Sequence, residues 1–71
     1  MTYNVNINWD TEAKVWYALS TDIPGIALES DSYNVLINRV RLAIPELIEL
    51  NGIKDNNINV NFVSTRFEKV A

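Results

Sequence analysis

Between Ser32 and Gly52 the chain carries its one long stretch of helical periodicity, and this stretch limits the possible folds more than any other feature. From Tyr33 onward, Leu36, Ile37, Val40, Ile44, Leu47 and Ile48 recur at i, i+3, i+4 and i+7, which is one face of an amphipathic helix. Asn38, Arg39, Arg41, Glu46 and Glu49 mostly fall away from that face. Ser32 or Asp31 offers a side-chain oxygen to the first free N–H groups, and Gly52 suits the left-handed position that ends a helix. Pro45 cannot donate to the Arg41 carbonyl and its ring crowds that turn, so the helix is expected to bend there or to restart as a second segment. No second long helix is present to cover the apolar face, so strands must do it.

The strands are read from alternation. Tyr3, Val5, Ile7 and Trp9 share one face of a first strand, with Asn4, Asn6 and Asn8 on the other. Val15–Leu19 is a second β-rich run, joined to the first by the polar Asp10–Lys14 as a hairpin with a loop of about five residues. Ser20–Gly25 then interrupts, because Pro24 removes a backbone donor and Gly25 supplies the φ freedom for a reversal. Ile26–Glu29 suffices for a short third strand at a sheet edge. After the helix, 54–57 reads as a loop, and Ile58, Val60 and Phe62 alternate with Asn59 and Asn61 in a fourth strand that runs on through Val63, Thr65 and Phe67. The order predicts an α+β fold: a single β-β-β-α-β domain over 1–71, with a four-stranded sheet and one long, Pro-kinked helix packed on one face. The other face is left to water or a partner.

Composition removes whole classes of chemistry. At 71 residues there is room for one domain, and 48% hydrophobic with 21% charged residues is ordinary globular usage. With no Cys there is no disulfide framework, thiolate nucleophile or thiolate metal site. The absence of His excludes Ser-His-Asp and Cys-His arrangements. A net charge of -3, with six basic residues spread along the chain, gives no patch for phosphates or an anionic membrane. Direct nucleic-acid binding by this chain alone is therefore not expected. The start Met1-Thr2-Tyr3-Asn4 does not read as a signal peptide, and no apolar run approaches the roughly 18 residues of a membrane span, so a cytoplasmic location is expected. There are ten Asn, but they alternate with apolar residues and form no low-complexity tract.

Several short motifs, in order, resemble the HicB-like antitoxin domains. These are the aromatic and Ala at Trp16 and Ala18, the Asp22-Ile23-Pro24-Gly25 turn, and the Glu29-Ser30-Asp31-Ser32 helix entry, within a similarity from about Tyr3 to Leu50. The stretch Ile44–Gly52 is similar to a short, stand-alone branch of that group. The resemblance implies a partial RNase H-like sheet in the spatial order 3-2-1-4, with no RNase activity. It also implies a partner: a small, basic, RNA-cleaving protein toxin, neutralised by direct binding. Full-length relatives often carry a C-terminal DNA-binding segment, whereas this chain ends at Ala71 directly after the last strand, so autoregulation by the chain alone is not expected. Ser30 stands where relatives often have Gly.

No catalytic, cofactor or metal residues are assigned. Asp10 and Glu12 fall in a hairpin loop, Asp31 in a cap, and Glu46 and Glu49 on the helix, whereas a Mg²⁺-dependent nuclease wants carboxylates converging from adjacent strand centres. Asp22 is read as architecture, bonding its own backbone in the Pro-Gly turn. Trp9 and Tyr17 are read as core. Trp16 is open between two placements. If Val15, Tyr17 and Leu19 face the helix, then Trp16 and Ala18 join Val63 and Phe67 on the Asn-rich face, and together with Asn6 and Asn61 they form a partner-binding patch. One residue of register slip in the hairpin turns Trp16 inward instead. The fourth strand lies at an edge, where its free backbone groups are expected to pair with a second copy. Two functional readings follow, an antitoxin-like protein-binding domain and a homo-oligomeric interaction module with no toxin partner.

Overall fold

In the computed structural model, residues 2–54 and 57–71 are described; Asp55 and Asn56, in the expected 54–57 loop, lie outside the described residues. The elements are β1 (Thr2–Asp10), β2 (Val15–Leu19), β3 (Ala27–Ser30), α1 (Tyr33–Leu50) and β4 (Asn59–Thr65). They build one four-stranded sheet in the order β3-β2-β1-β4. The β1–β2 and β2–β3 pairs are antiparallel, and β4 joins β1 in parallel after the crossover through α1. The α+β class and the single long helix are thus as the sequence predicts, and the strand order is the one the family resemblance implies.

Alternation decides which face of β1 is covered: Tyr3, Val5 and Ile7 are buried, while Asn4 and Asn6 are exposed. The helix lays Leu36, Val40, Ile44 and Ile48 over the sheet, and Ala18, Ile23 and Ile26 complete the core. Leu36 and Val40 are fully buried, each contributing roughly 1.5–3 kcal/mol by removal from water. Among the described residues no polar or charged side chain is buried.

Ser32 is the N-cap, its hydroxyl accepting from the Val35 N–H at 3.4 Å. At the other end the Asn51 N–H bonds the Leu47 carbonyl at 3.0 Å, and Gly52, at φ +67°, gives its N–H to Glu49. Between these caps α1 runs unbroken through Pro45 and does not restart as a second segment. Pro45 is exposed, so the Arg41 carbonyl that it leaves without a helical donor faces water.

The turn after β2 closes the sheet by side chains. Beyond Leu19 no β2 residue remains to pair Asn4, and the loop takes over: Ser20 Oγ donates to the Asn4 carbonyl at 2.7 Å, and Asp22 Oδ2 accepts from the Asn4 N–H at 2.7 Å. Asp22 is therefore architecture, although it acts on a strand 18 residues away and not on its own backbone. Pro24 offers its carbonyl to Asn51 Nδ2 at 3.2 Å, tying the turn to the helix end. Gly25 sits at φ +97°, and a Cβ there would lie 2.9 Å from Leu47 Cδ2. Gly25→Ala should therefore lower stability by about 1–2 kcal/mol, nearly all of it left-handed backbone strain, since the Leu47 tip can move. An unchanged urea midpoint would refute this. At the outer margin of the sheet, Arg39 reaches from α1 to donate to the Glu29 carbonyl of β3 at 2.8 Å.

Boundaries in β3 and β4 differ from expectation. The third strand is shifted by one residue to Ala27–Ser30, with Ile26 buried just before it. The fourth strand stops at Thr65, short of Phe67, because the next residue leaves the ladder and lays its guanidinium 4.6 Å from the centre of the Trp9 ring.

Candidate functional site

The hairpin between β1 and β2 decides what the uncovered sheet face presents. Its loop is Thr11–Lys14, one residue shorter than expected, because Asp10 stays in the strand opposite Val15. Asp10 Oδ1 accepts from the Glu12 and Ala13 N–H groups at 3.0 and 3.1 Å, and the Lys14 N–H returns to the Asp10 carbonyl at 2.8 Å. Lys14 closes the turn in the left-handed region at φ 56°. Losing one residue from the loop changes the parity of the whole pair, so Ala18 stands opposite Ile7 and Trp16 opposite Trp9.

Trp16 and Ala18 therefore face the helix, and the patch expected around them on the Asn-rich face does not form. Ala18 is fully buried. Trp16 packs edge-on against Trp9 at 5.3 Å and Tyr33 at 5.1 Å between ring centres, with Arg66 over the same cluster. Tyr33 and Ser64 share a hydrogen bond of 2.6 Å beside it. The residues expected to face the helix, Val15, Tyr17 and Leu19, stand on the open side instead.

Three of the candidate residues do come together there. Asn6 lies between Leu19 of β2 and Val63 of β4, so that Ala27, Leu19, Asn6 and Val63 form one row across all four strands. Leu19 and Val63 are 47% and 42% exposed, apolar on a face with no covering layer. The next row is Glu29, Tyr17, Asn8 and Thr65. On the other side, Asn61 Nδ2 donates to Asn4 Oδ1 at 3.1 Å. Asp10 and Glu29 add negative charge to this face, and among the described residues no Lys or Arg occupies a strand position on it. Phe67 falls past the strand end and is 89% exposed, so it borders the sheet without belonging to either face. Reading β2 as inward through Tyr17 missed Leu19 and Tyr17. The signal that locates them is the Asp10 side chain, which can fold the loop into four residues.

A second feature lies on the helix side. α1 approaches β2 and β3 and leaves the flank above β4 open, giving a groove of about 650 Å³. Its walls are Ile44, Pro45 and Ile48 from the helix and Ile58, Val60 and Phe62 from the sheet, with Arg41 also lining it. Among the described residues β4 has a neighbour on its β1 side alone. Among them, too, no three acidic side chains gather as a metal-ligand set, and no helix is long and apolar enough to cross a membrane.

A small domain with one helix on a four-stranded mixed sheet, one sheet face bare and β4 at an edge, is defined by these features. The chain belongs to the DUF1902 family, described as a domain of unknown function, which matches residues 2–70. It is also similar to a hypothetical protein from the extremely thermophilic bacterium Thermus thermophilus, whose crystal structure superposes with a TM-score of 0.84. The two sequences are 34% identical over 97% of this chain and 99% of the other. No curated protein matches the chain.

Proposed function

We propose that this domain works by binding a basic protein on the open face of its sheet, without catalysis. The observation that carries this reading is the row of Leu19, Asn6 and Val63, apolar at both ends of a polar centre, on a face that holds Asp10 and Glu29 and no opposing cation at the described strand positions. Exposed apolar side chains among polar ones are what a protein interface offers, and an acidic face steers a basic partner toward it. The more specific reading is HicB-like: the partner is a small basic RNA-cleaving toxin, and binding occludes its RNA-contacting surface. The Trp16, Ala18 and Asp22–Gly25 motifs support membership in that group through their structural parts, in the core and in the turn.

Affinity purification of the tagged chain from its native cells, with an RNA-cleavage assay on the eluate, tests the reading. A stoichiometric small basic protein that cleaves RNA only after the chain is stripped away is the expected result. The Leu19→Arg variant should lose that protein by about tenfold or more in affinity while keeping its circular dichroism spectrum, because it replaces an apolar contact by a cation facing a basic partner. A chain that comes down with no such protein overturns the toxin reading and leaves the alternative, an interaction module without a toxin.

A further inference from the structure

The free edge of β4 and the groove beside it are one continuous surface, and we infer that a second copy of this chain covers both. The backbone alternation settles what the edge offers. Asn4 turns its N–H and C=O toward the β2 side, where Ser20 and Asp22 take them. Tyr3, Val5 and Ile7 therefore turn theirs toward β4, and in a parallel ladder they bond the residues flanking their partners Val60, Phe62 and Ser64. Within β4 the groups left pointing away from the sheet belong to Val60, Phe62 and Ser64, and the same alternation carried one residue back from the strand adds Ile58.

These four positions are symmetric about Asn61. A two-fold axis through Asn61, normal to the sheet, pairs β4 antiparallel with its copy so that Val60 exchanges both hydrogen bonds with Phe62 of the second copy, and Ile58 with Ser64. Every outward group is then satisfied, and a shift of the axis to a neighbouring residue leaves some of them over. The same axis sets Val60 and Phe62 against each other on the groove side, where they are half-buried in a single chain. No charged residue lies between Asn59 and Thr65, so nothing in the strand repels its copy. Edge pairing alone buries little apolar surface compared with the roughly 800 Å² per partner of a stable interface. The arm after Thr65 supplies the remainder. Antiparallel pairing carries it past Ile58 of the second copy, which ends the sheet wall of the groove, and its Phe67 and Val70 are 89% and 90% exposed in one chain.

The dimer needs only the purified chain, so its test is independent of whether a toxin exists. Sedimentation across a dilution series should give a species of twice the 8.1 kDa chain mass. The axis places the two Asn61 side chains side by side on the open face. Asn61→Lys and Asn61→Glu should therefore each weaken the dimer by about tenfold or more, and mixing the two variants should restore it as a one-to-one pair. Replacing Phe67 and Val70 together by Ser should weaken it as well, with an unchanged circular dichroism spectrum showing that the monomer still folds. A chain that sediments as a monomer overturns the proposal. So does a dimer indifferent to charge at residue 61, or one indifferent to loss of the apolar arm.

Discussion

Val40→Asp is expected to leave the chain unfolded. Val40 is fully buried where α1 crosses the sheet, among Leu36, Ile44 and the inward residues of β1, and among the described residues no cation is buried there to meet a carboxylate. A buried, unpaired charge costs several kcal/mol, whereas a domain of this length has roughly 4–10 kcal/mol of total stability. Far-ultraviolet circular dichroism without denaturant is the direct measurement. Leu42→Asp, two positions along the same helix but 80% exposed, is the control and should keep a native spectrum. A folded Val40→Asp protein would mean that the helix does not present this face to the sheet.

Trp16→Ala should lower stability by about 2–3 kcal/mol, and for a domain this small that is a fall of about 10–20 °C in Tm. The side chain is half-buried between Trp9 and Tyr33, so truncation removes two edge-on ring contacts and opens a void under Arg66. Thermal unfolding followed by circular dichroism, at a wavelength free of indole signal, measures it. At low temperature, where the variant is still folded, partner capture through the Leu19–Asn6–Val63 row should survive. Unchanged Tm with lost capture is the opposite pattern, and it would return Trp16 to the open face.

Why Trp16 is hard to place from sequence is instructive. In β1 Asn4, Asn6 and Asn8 alternate with apolar residues, and the alternation alone assigns the buried face. In β2 the residues Val15, Trp16, Tyr17, Ala18 and Leu19 are all apolar or aromatic, so no alternation exists to read and the facing depends on the parity of the loop. That parity turns on whether Asp10 belongs to the loop or to the strand, which its own side-chain bonds to Glu12 and Ala13 decide. The helix was legible to its caps because Ser32 and Gly52 are local signals that owe nothing to the rest of the fold. The Asp22 contact was not, since it depends on β2 ending before it reaches Asn4, a fact of sheet geometry and not of the turn's sequence. Of the candidate patch, Asn6, Asn61 and Val63 were found by alternation in β1 and β4. Leu19 is hidden for the same reason that Trp16 stays open between two faces.

The Arg39 contact with β3 bears on how far assembly can go. A sheet with two open margins can add strands at both, and repeated head-to-tail addition makes a fibre. Here the β3 margin is four residues long, and its Glu29 carbonyl is already taken by a guanidinium reaching over from the helix. The β4 margin has no such guard among the described residues. Growth by backbone pairing is therefore one-sided: two copies that meet along β4 use up the reactive margin of both, and each offers the next molecule an edge that is short and partly occupied. The Arg39 guanidinium thus works with the shortness of β3 to disfavour further strand addition at that margin.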